Sequence, residues 1–165
     1  MPDVLTEESY ERLLEHYSRH SDENGAGGFW FMQPGQAQCI GYEAFHKPLS
    51  ELGWARLWTL EYDGHVRAHV MLIGNGVSAH RATLSMGVEG PIRGAGIGRK
   101  LMTLAVSWAA AQSQLCFLDG WALAHNTPVL KLDYSVGWYE TGFIEDALRI
   151  DGLKMDQILL TLRLR

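Results

Sequence analysis

The spacing of apolar residues along this chain changes period several times, and each change predicts an element. Tyr10, Leu13, Leu14 and Tyr17 recur every three or four residues, which predicts an amphipathic helix over 7–18 with Thr6 as its N-cap. "HSDENGAGG" follows as a loop. From residue 55 the period drops to two, and "ARLWTLEY" and "HVRAHVMLI" flank Asp63 and Gly64, a pair suited to the positive φ angles of a type I′ turn. A hairpin is predicted there. "RATLSMGV" predicts a third strand, and "GRKLMTLAVSWAAAQ" returns to helical spacing, with Leu101, Leu104, Ala105, Trp108 and Ala109 on one face.

"CFLDGWALA" reads as a strand parallel to the third, because a helix carries the chain between them. Pro128 suits the first position of a helix after Asn126 and Thr127, and that helix is expected to run to about residue 140 and stop at Gly142. "FIEDALRI" and "LKMDQILLTLRL" form a second predicted hairpin around Asp151 and Gly152. Between 29 and 55 the pattern is weaker: "FWFM" reads as a short strand and "GYEAFHKPLSEL" as a helix interrupted by Pro48. Together these elements predict an α/β fold of the α+β type. A mixed, mostly antiparallel sheet of about six to seven strands carries flanking helices within one domain over 1–165, without repeats or an internal linker.

At 165 residues the chain can bury a core without disulfides or metal staples. Its net charge of −5, with no basic block, argues against a nucleic-acid partner and makes a neutral or cationic substrate easier to accommodate. Cys39 and Cys116 are far apart and form no CxxC, so a disulfide framework or cysteine zinc site is not expected. The acidic start "MPDVLTEESYERLLEHY" is unlike a signal peptide, and "LMTLAVSWAAAQSQLCFL" contains Ser and Gln, so neither export nor a membrane partner is expected. A cytoplasmic location is the default.

The chemistry concentrates in "PIRGAGIGRKL", where Gly94, Gly96 and Gly98 precede a helix and let backbone N–H groups converge on a phosphate. A P-loop would need Gly-Lys-Ser/Thr where this chain has Gly98-Arg99-Lys100-Leu101. The dinucleotide fingerprint G-x-G-x-x-G fails on spacing and follows a different strand arrangement. Arg93, Gly96 and Gly98 give R-x-x-G-x-G. With the hairpin before it, "ATLSMGV", the following helix, the strand ending "ALAHN" and "YETGF", the chain resembles the GNAT superfamily of acyl-CoA-dependent N-acyltransferases over about residues 54–165.

The resemblance implies acetyl-CoA as cofactor, with its pyrophosphate held by the amides of Arg93, Gly94, Ala95, Gly96, Ile97, Gly98 and Arg99 and favoured by the helix dipole. It places the pantetheine arm along Met86, Gly87 and Val88, on a bulged strand that splays from its neighbour. The N–H of Val88 would meet the thioester carbonyl. Asn126 opens the family's pattern N-x-x-A-x-x-L-Y-x-x-x-G-F and is counted with the cofactor-binding residues. The pattern's tyrosine serves as general acid, but this chain is about one helical turn longer there. Counting from Asn126 reaches Asp133, and counting back from Gly142-Phe143 reaches Trp138. Tyr134 and Tyr139 each stand one residue away and are the candidate acids, with Tyr139 preferred.

The family's frequent strand glutamate falls on Thr83, so the base is sought among Glu61, His80 and Glu89, with Glu61 the choice. His65, Arg67 and His69 alternate on one strand face, but no third ligand is in view and no metal is expected. Phe29, Trp30, Phe31, Tyr42, Phe45 and Trp54 read mainly as core, in a region that helps form the acceptor pocket in the resembled fold. The expected activity is direct transfer of an acetyl group to a primary amine of a small molecule or a peptide. Transfer of a longer acyl chain and an acyl-CoA sensor without turnover are the alternatives. Self-association as a dimer is an expectation from the resemblance alone.

Overall fold

The computed structural model describes residues 6–22, 41–74, 77–150 and 152–165. The "FWFM" strand, Phe29, Trp30, Phe31 and Cys39 lie outside them.

The first helix, α1 (Glu7–Asp22), starts where Thr6 Oγ1 accepts the Ser9 N–H at 3.1 Å, a side-chain N-cap. Its predicted apolar face is the buried one, since Leu13 and Tyr17 pack with Phe45, Leu57 and Met71. The weak region after it yields a short 3₁₀ turn, Tyr42–His46, in place of the predicted helix. Strands β1 (Ala55–Tyr62) and β2 (His65–Gly74) form the first hairpin, and Asp63 and Gly64 have φ of 55° and 71°, as the I′ turn requires. Strand β3 (Arg81–Val88) leads through a 3₁₀ turn, Gly90–Ile92, into α2 (Ile97–Ala111). On α2 the buried residues are Leu101, Met102, Ala105 and Ala109, whereas Leu104 is 54% exposed, so the apolar stripe is rotated slightly from the predicted one.

Strand β4 (Phe117–Leu123) is followed by α3 (Thr127–Val136), then β5 (Tyr139–Ile150) and β6 (Leu153–Arg163). The helix predicted to reach residue 140 ends four residues earlier. Gly137 at φ 102° supplies a left-handed stop, its N–H bonding Tyr134 O and the Trp138 N–H reaching Asp133 O, a Schellman closure. Gly142, the expected stop, lies in β5 beside an irregularity in the pairing with β6. The cue was a glycine, and the nearer of two glycines took the role.

The strands among the described residues form one six-stranded sheet in the order β1-β2-β3-β4-β6-β5, antiparallel throughout except for β3 and β4. This agrees with the predicted mixed sheet. Helices α2 and α3 cover one face around Val70, Leu72, Ala82, Leu118 and Leu160, and α1 covers the β1 and β2 end of the other. No helix among the described residues is long and apolar enough to cross a membrane.

Candidate active site

Strands β3 and β4 pair over only three residues, Arg81–Thr83 with Phe117–Asp119. Beyond that they diverge, and the closed end is held by a bidentate Arg81–Asp119 pair (2.7 and 2.5 Å) to which Thr161 Oγ1 donates at 2.8 Å. Burial raises the Asp119 carboxyl, but the bonds from Arg81 and Thr161 outweigh it and hold it below the usual carboxylate range. The register between β2 and β3 is unbroken, so the bulge expected on the central strand is absent from this pairing. The Glu89 N–H bonds Arg67 O at 2.9 Å, and continuing the antiparallel alternation turns the N–H groups of Leu84, Met86 and Val88 away from β2, toward the gap that β4 leaves.

At the mouth of this gap lies a cleft of about 360 Å³ walled by Met86–Val88, the Arg93–Arg99 loop, and Pro128, Val129 and Leu132 of α3. Gly94 and Gly96 have φ of 82° and 75°, conformations that L side chains rarely adopt. The Lys100 N–H is bonded to Gly96 O, so the N–H groups of the preceding first-turn residues Ile97, Gly98 and Arg99 point out of the helix end. Gly98 is not left-handed but borders the passage between α2, α3 and β3, where a Cβ would make ordinary contacts, 3.4 Å from Leu132, 3.7 Å from Met86 and 3.8 Å from Val88. The loop is braced from both sides. Arg93 Nε donates to Val88 O at 2.8 Å, and Arg99 Nη2 donates to Ser135 Oγ at 2.7 Å.

Behind the cleft, and sharing Met86 and Val129 with it, is an inner void of about 100 Å³. Asn126, which caps α3 by accepting the Val129 N–H, lines it, as do Thr83 and Ser85. Both residues reached by counting from the two ends of the sequence pattern are also there. Asp133 is 6% exposed, and burial pushes its carboxyl up to about 7. The Trp138 indole N–H is buried and has no hydrogen-bond partner among the described residues.

Neither candidate tyrosine lines this void. Tyr134 is 44% exposed and its hydroxyl donates to Glu140; that bond raises its own pKa. Tyr139 is not helical as expected but opens β5 opposite Thr161, on the sheet face that carries Arg81 and Asp119, because the helix stops at Gly137. Of the candidate bases, Glu61 sits on β1 in an ion pair with Arg12 (3.2 Å), and His80 is an exposed residue before β3, beside Phe117. Neither lines the cleft or the void.

Glu89 is fully buried rather than solvated. Its carboxylate accepts from Arg67 (2.6 Å), His16 (2.7 Å) and Arg19 (3.3 Å), and His16 Nε2 in turn lies 2.9 Å from His69 Nδ1. Burial raises this carboxyl, but the bonds from Arg67 and His16 with the charge of Arg19 outweigh it and leave it below its ordinary value. The alternation of Arg67 and His69 on β2 thus marks an ionic anchor for α1 at the end of β3. His16 and Arg19 were absent from the sequence argument, though as polar residues on and beside the buried face of α1 they carried a signal.

The profile of the Acetyltransferase (GNAT) family matches residues 5–138. The chain belongs to this family, whose acyl donor is acetyl-CoA. No curated protein matches it in sequence. Among solved structures, the chain is similar to YncA of Salmonella typhimurium, solved with its cofactor acetyl-CoA, at 18% identity and a TM-score of 0.78, covering 97% of this chain and 91% of that one. It is also similar to a GNAT-family acetyltransferase of Streptococcus pneumoniae at 16% identity and a TM-score of 0.77, covering 94% of each chain. Spermidine N-acetyltransferase of Vibrio cholerae, solved with CoA and spermine, gives 14% identity and a TM-score of 0.72 over 96% of this chain and 92% of that one.

The residues present fit such a cofactor. The cleft offers outward-facing strand amides and a helix N-terminus opened by left-handed glycines, Gly94 and Gly96.

Proposed function

We propose that this protein transfers an acetyl group from acetyl-CoA directly to a primary amine. The observation that carries the reading is the continuity of loop, cleft and inner void along the diverging edge of β3. The amides from Arg93 to Arg99 would hold the pyrophosphate, with the α2 dipole favouring its charge. Met86, Gly87 and Val88 would carry the pantetheine arm through strand-like hydrogen bonds. Acetyl-CoA supplies the acetyl group in activated form, as a thioester.

Val88 lines the cleft but not the inner void, so its N–H would serve the arm, and the outward-turned N–H of Met86, which lines both, would donate to the thioester carbonyl oxygen as charge develops on it. A lysine-type amine has a pKa of about 10.4, so the acceptor must lose a proton before attack. None of Glu61, His80 and Glu89 stands in the void, and that proton would pass to solvent. A chain of net charge −5 favours a cationic acceptor. Among the described residues Cys116 lies at the closed end of the splay, before β4 and away from the cleft, which supports direct transfer.

A panel of primary amines assayed for thiol release tests the reading. The expected result is steady release matched by acetylated product with at least one amine. Among the described residues no tyrosine hydroxyl lines the void, which favours a second reading, a sensor that binds acetyl-CoA without turnover. Tight CoA binding with no turnover on any amine would support that one instead.

A further inference from the structure

Resting on that reading, we propose that Asp133 is the general acid of this protein, donating its carboxyl proton to the departing sulfur of coenzyme A. The cleft beside the glycine loop and the inner void share Met86 and Val129, so an arm entering along β3 from the loop reaches the void with its far end. Asp133 is the ionisable side chain on the wall of that void, and it is 6% exposed. No hydrogen bond or ion pair engages its carboxyl among the described residues. A buried carboxyl without a partner is costly in its charged form and is retained as the neutral acid.

The walls of the void from β3, β4, α2 and β6 bring hydroxyls, at Thr83 and Ser85, but no charged group. The titratable neighbour that senses Asp133 is Tyr134, whose hydroxyl is committed to Glu140 at the surface. Burial alone holds the Asp133 proton to about pH 7. That lies below the roughly 8.5 of an alkyl thiol, so transfer to a thiolate is downhill.

In the step, the amine nitrogen forms its bond to the carbonyl carbon and the carbon–sulfur bond breaks, its electron pair remaining on sulfur. Asp133 places its proton on that sulfur, giving free thiol. The proton released by the amine nitrogen to solvent restores the Asp133 carboxyl, so the cycle closes without another reactant.

The test uses coenzyme A and desulfo-coenzyme A, which differ by the sulfur, after calorimetry has established that coenzyme A binds. On the unmodified protein, carboxyl ¹³C NMR should show the Asp133 titration shifted by coenzyme A relative to its desulfo analogue. In the complex, thiolate absorbance should show that Asp133→Asn makes the bound thiol about tenfold more acidic, since a nearby carboxylate no longer opposes the thiolate. The same variant should lower kcat by about 10²-fold or more while the dissociation constant of acetyl-CoA stays within about twofold. Identical Asp133 titrations with the two ligands, or an unchanged bound thiol in the variant, would overturn the proposal while leaving the cleft assignment intact. Failure of coenzyme A to bind at all would overturn the cleft assignment and the proposal with it.

Discussion

Two buried carboxyl groups flank the same strand-to-helix segment and have opposite surroundings. Glu89, at the end of β3, is met by Arg67, Arg19 and His16 and ionises more readily than a free carboxyl. Asp133, across the gap on α3, is met by apolar walls and hydroxyls and holds its proton to about pH 7. The first arrangement suits a fixed point: it clamps α1 and β2 to the segment that begins the glycine loop. The second suits a working group, since a buried carboxyl left unpaired costs stability that packing elsewhere must offset.

Glu89 carries the larger expected effect. Replacing it in Glu89→Gln leaves two arginines facing a neutral amide, and the loss should be about 3–5 kcal/mol in equilibrium denaturation at neutral pH. Because the folded pKa of Glu89 is depressed, its contribution is present above the unfolded value of 4.5 and fades as pH falls through the lowered one. The difference between parent and variant should therefore shrink in acid. A loss below about 1 kcal/mol would mean that the anchor is not ionic.

On the cleft side, Gly96→Glu should weaken coenzyme A binding more than about 100-fold, or about 2.7 kcal/mol, by placing a carboxylate at the phosphate position. Gly96→Ala shares the backbone strain at φ 75° without the charge, so calorimetry on both variants separates the two effects. Equal losses in the two would remove the phosphate from the loop.

Asp133→Asn should act on stability with the opposite sign to Glu89→Gln. The unfolded aspartate ionises from its value of 3.8 while the folded one stays neutral to about 7, so parent stability falls with rising pH across that window. The variant escapes this penalty. It should be more stable than the parent by about 1–3 kcal/mol above pH 7, after the cost of a buried amide, with the gain vanishing below pH 4. A variant less stable at every pH would mean that Asp133 is held by a structural bond. The smallest effect is expected from Tyr134→Phe, which removes an exposed, solvent-screened hydrogen bond to Glu140 and should leave the denaturation midpoint indistinguishable from the parent's.

The frame of this molecule was legible because its cues are local. Asp63-Gly64, the glycine loop and the period of each strand are decided within a few residues, and the parallel pair followed from one crossover helix. The identity of the group facing the void was not local. It depended on whether Gly137 or Gly142 ended α3, and that choice moved Tyr139 from a helix onto a strand. Counting from Asn126 did reach Asp133, but sequence alone offered no reason to prefer an aspartate to the tyrosine beside it. That reason is burial, which depends on β3, β4 and β6 arriving together. Glu89 eluded the sequence for the same cause, because its partners come from α1 and β2.

The measurement that bears most directly on the account is thermal unfolding with acetyl-CoA, coenzyme A, NADH and ATP, each alone at matched concentration. A ligand present at about 100 times its dissociation constant adds about 2.7 kcal/mol, which for a chain of this size is roughly 5–10 °C. Such a shift is expected with the two coenzyme A compounds alone. No shift with either, or a shift with NADH or ATP in their place, would contradict it.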